Sequence, residues 1–217
     1  MKIDMGNSAL ACKKLLVEAR NITCRYADRD TMWRKHPLEM SIFSGERIRI
    51  QGDNGCGKST LLKLVAGPLQ PYEGEIFRNE ALDILYLDQE YSCLDKELTV
   101  YGQLEACSSG RPEHELKMLL NRFLFTSSTW DKKCGSLSGG EKMKLALCYL
   151  IVCGQAPDMI IADEPTNNID IASMEILAAV LKNYKGTLLV VSHDEQFIRD
   201  VGIERTISLP AADCSRS

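Results

Sequence analysis

Arg47-Ile48-Arg49-Ile50-Gln51-Gly52-Asp53-Asn54-Gly55-Cys56-Gly57-Lys58-Ser59-Thr60-Leu61-Leu62 decides the fold. Its first residues alternate as a strand does, and from Lys58 to Ala66 the pattern is helical, with Gly67 as a stop and Pro68 forbidding continuation. Between them the string G-x-x-x-x-G-K-[ST] sits directly after a strand and before a helix. Glycines there let the backbone curl until successive N–H groups point at one centre, an anion site that the start of the helix reinforces. Lys58 adds a full positive charge, and the Ser59 hydroxyl can ligate magnesium. Gly52, Asp53, Asn54, Gly55, Cys56, Gly57, Lys58, Ser59 and Thr60 are thus the candidate phosphate-binding residues.

Working outward, Met159-Ile160-Ile161-Ala162 has neither polar interruption nor helical period, which predicts a strand buried on both faces of a parallel sheet. Thr187 to Val191 reads the same way, and Ile84 to Leu87 is a shorter buried strand running into Asp88-Gln89-Glu90. Extended segments are also expected from Leu15 to Tyr26 and up to Ile42. Leu98 to Lys133 turns helical, with Pro112 in a first turn and Leu116, Leu119, Leu120, Phe123 and Leu124 along one stripe. Further helices are expected from about Gly139, with Met143, Leu147, Leu150 and Ile151 inward, and from Ser173 to Tyr184, stopped at Gly186. Strands alternating with helices imply an α/β domain over 15–217 with a mostly parallel central sheet. An N-terminal antiparallel β subdomain and an inserted helical subdomain at about 90–157 complete it, and residues 1–14 read as a linker.

The 217 residues are 45% hydrophobic and 26% charged, enough apolar material for one core and too much for a disordered chain. Lys plus Arg number 26 against 30 Asp plus Glu, so no basic field surrounds the molecule. The first 35 residues hold eight basic and four acidic side chains, so any polyanion contact favours that end. Nine cysteines without a Cys-x-x-Cys pair predict reduced thiols in a cytoplasmic protein rather than a zinc site or disulfide framework. The longest apolar run, Leu145 to Cys153, has nine residues where a membrane helix needs roughly 20. No signal peptide and no membrane insertion are expected.

Asp163 and Glu164 follow a buried strand, at the edge where open α/β sheets place ligands. Strand alternation sends neighbours in opposite directions. Asp163 would hold the magnesium shell, and Glu164 would face an attacking water as general base. Leu137-Ser138-Gly139-Gly140-Glu141 opens a helix with a hydroxyl and two glycines, a second phosphate cradle with Ser138 as an extra donor.

The order of these motifs, with Gln89 before Ser138-Gly139-Gly140 and His193 after Glu164, resembles the nucleotide-binding domain of the ATP-binding cassette (ABC) superfamily, a P-loop NTPase, over about residues 15–209. The resemblance implies ATP and Mg²⁺ as cofactors. It also implies that two cassettes close head to tail, each ATP lying between the Gly52–Ser59 loop of one and the Ser138-Gly139-Gly140 of the other. It assigns Gln89 to magnesium and water, Lys58, Glu164 and His193 to the reacting γ-phosphate, and residues 167–170 to contact with the partner cassette. It makes Tyr26 a candidate to stack on adenine, with Trp33 the rival.

Asp163 to Asp170 and Val191 to Phe197 are most similar to the ABC-F class, cytosolic two-cassette proteins acting on ribosomes as translation factors or in antibiotic resistance. Residues 1–14 and 32–38 resemble the entry to the second, C-terminal cassette of the resistance-associated branch, which implies ribosome or rRNA as partner. The alternative is the ATPase subunit of a membrane transporter. A chromosome-organising ATPase would need a long coiled coil, whereas 77 residues separate Ser59 from Leu137. A GTPase reading lacks an Asn-Lys-x-Asp motif. Asp53 departs from a frequent proline and Asn168 from a frequent histidine. Cys56, near Lys58 and a helix start, is expected to have a lowered thiol pKa and to block ATP binding when alkylated.

Overall fold

Buried strands that pair in parallel must emerge at the same edge of their sheet, and this sets where chemistry can happen. A computed structural model of the protein describes residues 13–25, 31–88, 90–108, 110–153, 156–167 and 169–211. In chain order the elements are β1 (Leu15–Thr23), β2 (Leu38–Phe43), β3 (Arg47–Gln51), α1 (Lys58–Ala66), β4 (Glu73–Arg78), β5 (Ile84–Leu87), α2 (Val100–Cys107) and α3 (Glu113–Arg122). Then come two short 3₁₀ turns, α4 (Gly139–Val152), β6 (Met159–Asp163), α5 (Ile171–Asn183), β7 (Thr187–Val191), α6 (Glu195–Asp200) and β8 (Arg205–Ser208). Five strands form a parallel sheet in the order β5-β6-β7-β3-β8, and β2-β1-β4 form a separate antiparallel sheet.

The unbroken apolar runs of β6 and β7 hide a two-residue period. Met159, Ile161, Leu189 and Val191 pack with α1 and the antiparallel sheet, whereas Ile160, Ala162, Leu188 and Val190 pack with the helical side. Covering on both faces makes every position apolar, so the alternation is invisible in the sequence. The C-terminal ends of β3, β5, β6 and β7 deliver Gly52, Asp88, Glu164 and Ser192 to one edge.

The helical region is built around Leu116, Leu120, Phe123 and Phe125. Leu124 leaves the expected stripe: α3 stops at Arg122, Leu124 takes φ 65°, and its side chain is 67% exposed while Phe125 turns inward. On α4, Ile151 is 39% exposed and Val152 takes the inward place. Pro112 precedes α3 as its N-cap rather than occupying its first turn, and α5 ends at Asn183 without using Gly186. The sequence reading missed β4, α6 and β8. Glu73-Gly74-Glu75 hides the alternation of β4, and α6 and β8 are only six and four residues long.

On β3, Ile48 and Ile50 face α1, and the alternating Arg47 and Arg49 face the helices of the other side. Arg47 donates from Nη1 to the Tyr184 carbonyl at 3.0 Å, from Nη2 to Leu181 and Val201 at 2.7 and 2.6 Å, and from Nε to Val201 at 2.9 Å. One guanidinium thus closes the C-terminal ends of α5 and α6, where helix carbonyls lack partners and the dipole favours a cation. Arg47→Met is expected to lower the unfolding free energy by roughly 2–4 kcal/mol by urea titration. A loss within the error of the titration would mean that water replaces the arginine.

Candidate functional site

The loop after β3 curls through Gly55 at φ 81° and Gly57 at φ 102°, the left-handed region where glycine carries no Cβ penalty. Gly57 caps α1, and no side chain hydrogen-bonds over the helix start facing the cleft. A Cβ at Gly57 would also lie 2.6 Å from Cζ2 of Trp33. Trp33 forms the floor of the loop: it is buried, and its indole N–H donates to the Cys56 carbonyl at 2.9 Å. A ring enclosed in this way is unavailable to stack on a base, which removes the rival to Tyr26. Tyr26, Gln89 and Asn168 lie outside the described residues. Lys58 Nζ donates to the carbonyls of Gly52 at 2.8 Å and Asp53 at 3.2 Å, holding its charge across the loop.

Cys56 corrects an expectation. Its side chain is buried, packed where a Cβ of Gly52 would be 2.5 Å from Sγ. Burial pushes the thiol up from its ordinary value, and the nearby Lys58 charge lowers it only in second place. The thiolate that would react is therefore scarce.

At the end of β6, Asp163 is buried; its Oδ2 accepts from the Tyr86 hydroxyl at 3.2 Å, while Oδ1 has no partner among the described residues. Glu164 takes φ 51°, a conformation costing of order 1–3 kcal/mol in a residue with a side chain. Its N–H donates to the Val191 carbonyl at 2.9 Å, its Oε1 lies 3.2 Å from Nε2 of His193, and its Oε2 is buried with no partner among the described residues. A cavity of about 310 Å³ brings Asn54, Gly55, Lys58, Ser59, Asp163 and Glu164 around one space. Unpaired buried carboxylate oxygens are expensive, so two of them here mark an incomplete site. Ser59 and Asp163 are the oxygen donors that suit magnesium. No group of three His, Cys, Asp or Glu among the described residues could hold a metal, so an ion here needs phosphate and water oxygens as well.

Ser138, Gly139 and Gly140 line neither this cavity nor its neighbour. Ser138 accepts from the Glu141 N–H at 3.3 Å, and its own N–H and hydroxyl both donate to Glu141 Oε2 at 2.8 Å. Both donors of Ser138 are occupied within α4, and those bonds hold the Glu141 carboxyl below its usual range.

The sequence model of the ABC transporter family matches residues 36–167. The chain belongs to the ABC transporter family. Its place there makes it an ATP-binding cassette. Among its relatives are ABC transporter F family member 5 of Arabidopsis thaliana, 38% identical over 89% of the chain and 28% of that protein, and ATP-binding protein Uup of Haemophilus influenzae, 35% identical over 88% and 29%. Putative ATP-binding protein YdiF of Bacillus subtilis is 40% identical over 76% and 25%. The cassette thus spans about three-tenths or less of these relatives. In fold it is similar to the dimeric bacterial ABC transporter cassette MJ0796, with TM-score 0.71, 23% identity and coverage of 89% and 94%. The post-hydrolysis dimer of MJ0796, bound to ADP and Pi, gives 0.70 and 24% over the same shares.

The sequence reading missed Tyr86 and Val191 as supports of the carboxylates, because both sit in runs that read simply as buried strand. Two outcomes are expected. Iodoacetamide should leave Cys56 unmodified in the native cassette and label it once urea unfolds the chain; rapid native labelling by mass spectrometry would contradict the burial argument. Glu141→Ala should cost about 1 kcal/mol at neutral pH. Because its folded pKa is depressed, that contribution is complete above the ordinary 4.5 and is lost as pH falls through the folded value. The deficit should therefore fade in acid, and a pH-independent deficit would point to packing instead.

Proposed function

We propose that this cassette hydrolyses Mg-ATP together with a second cassette, and that the whole protein is of the ABC-F class, acting in the cytoplasm on the ribosome in translation or antibiotic resistance. The observation that carries the catalytic reading is the convergence of the phosphate loop, Lys58, Asp163 and Glu164 on one cavity. The Cys56 N–H donates to the Asp53 carbonyl at 3.2 Å, so the N–H groups of Gly55, Gly57, Lys58 and Ser59, with the Lys58 ammonium, bind phosphate oxygens. Ser59 and Asp163 Oδ1, with Gln89, would hold magnesium, which neutralises phosphate charge when bound. The Glu164 carboxylate takes the proton of the attacking water, and His193 keeps it oriented through Oε1. Tyr26 would carry the adenine ring.

Ser138, Gly139 and Gly140 act on the γ-phosphate held by the other cassette, in the same chain or in a head-to-tail dimer, which fits their place outside this cavity. The F-family names among the relatives support the ABC-F class over a transporter subunit, as does the similarity of residues 163–170 and 191–197 to that class. Residues 1–14 serve as the entry linker to a C-terminal cassette, with 15–217 the ATP-binding domain.

In the protein with both cassettes, Glu164→Gln is expected to reduce ATP turnover at least about 100-fold while leaving Mg-ATP binding intact. Lys58→Ala should weaken binding itself. Turnover by Glu164→Gln at the unaltered rate would sink the assignment. Co-purification with a membrane subunit rather than with ribosomes would favour the transporter reading.

A further inference from the structure

His193 presents its ring to solvent with 65% of the side chain exposed, and Glu164 Oε1 is the carboxylate within 4 Å of it. A ring so placed is only as well aimed as the backbone that carries it. That backbone is held on several sides. Ser192 Oγ meets Thr166 Oγ1 at 3.2 Å and accepts from the Asp194 N–H at 3.1 Å, and Asp194 caps α6 by accepting from the Phe197 N–H at 2.8 Å. From beneath, Arg49 Nη2 donates to the Ser192 carbonyl at 3.1 Å, the carbonyl of the peptide that joins Ser192 to His193, and to Glu195 Oε1 at 2.8 Å.

Arg49 is a costly way to fill that space. It lies on β3, between β7 and the edge strand β8 of the parallel sheet, is 9% exposed, and has its Nε buried with no partner among the described residues. A buried ion pair is weak evidence for stability, and an apolar side chain of similar volume often serves as well or better. Its carboxylate partner among the described residues, Glu195, is 61% exposed, so the pair gains little from burial on that side. What an apolar side chain cannot do is grip one peptide and the first turn of α6 at once. The same strand runs directly into Gly52, so the grip ties the phosphate loop to the peptide of His193.

We propose that Arg49 is a positioning residue for His193: it fixes the 192–193 peptide, and with it the imidazole that orients Glu164, relative to the strand feeding the phosphate loop. The proposal rests on the ATPase reading given above. Arg49 lines the cavity of about 410 Å³ beside the phosphate loop with Gly52, Lys58 and His193, and the role assigned to it runs through the 192–193 peptide rather than through contact with ATP. Its loss acts on turnover rather than on ATP affinity, and it acts without a matching loss of stability.

The test compares Arg49→Met, which fills the space without donating, and Arg49→Lys, which restores a donor. In the protein with both cassettes, Arg49→Met is expected to lower kcat about tenfold or more, since small misplacements at a reacting centre are costly. KM for ATP should stay near the unaltered value and the thermal midpoint should not fall. Arg49→Lys should recover most of kcat. An unchanged kcat would overturn the proposal, and so would a kcat loss that tracks a falling midpoint and is not recovered by lysine. Failure of the unaltered protein to hydrolyse ATP would instead sink the ATPase reading. A second measurement separates the two failures. The chain has three histidines, His36, His114 and His193, so their ring signals are readily resolved by NMR in this cassette alone. Arg49→Met should displace the His193 signal and leave the others in place, with Arg49→Lys returning it; an unmoved His193 signal would overturn the positioning role whatever the kinetics.

Discussion

A parallel sheet covered on both faces has to release its strands at one edge, and the rest of the molecule follows from that constraint. The glycine loop after β3, the carboxylates after β6 and the histidine loop after β7 come from distant parts of the chain, yet they meet because their strands are neighbours running the same way. The edge is also where α1 begins without a side-chain cap over its first turn. Anion-binding capacity and two carboxylates therefore line one cavity, a combination that is costly until a charged ligand and its counter-ion fill it.

Much of this was legible before any coordinates. The run Arg47 to Leu62 contains its own strand, loop and helix, because glycine spacing and the Lys58–Ala66 pattern are local properties. The buried strands were legible as apolar runs for the same reason. What escaped depends on contacts distant in sequence. Cys56 sits beside a lysine in the chain but beneath the loop in space, so burial rather than charge governs its thiol. Trp33 could be read as an exposed aromatic near a nucleotide loop, since nothing local says that its N–H reaches the Cys56 carbonyl. Leu124 fitted a helical stripe that in fact ends two residues earlier. The capping box at Ser138 was legible in principle, from a serine followed three residues later by glutamate, but the signal was absorbed into a phosphate-binding reading.

The two arginines of β3 show how one strand can face in two chemical directions. Ile48 and Ile50 meet the apolar side of α1, whereas Arg47 and Arg49 reach across the opposite face to carbonyls at helix ends and in a loop. Spending cations inside a sheet is tolerable only where each finds several acceptors. Arg47 finds three carbonyls and loses nothing. Arg49 leaves its Nε unmatched. That asymmetry separates a guanidinium that holds the fold together from one whose position next to the reacting edge has another use.

Trp33 has a practical side. The sequence holds two tryptophans, and this one is shut away from water with its indole bonded to the very peptide that shapes the phosphate loop. Any ligand that tightens or tilts that loop alters the electric surroundings of the ring. The cassette is thereby equipped with a built-in fluorophore, wired by a single bond to the strand–loop–helix where its occupancy is decided.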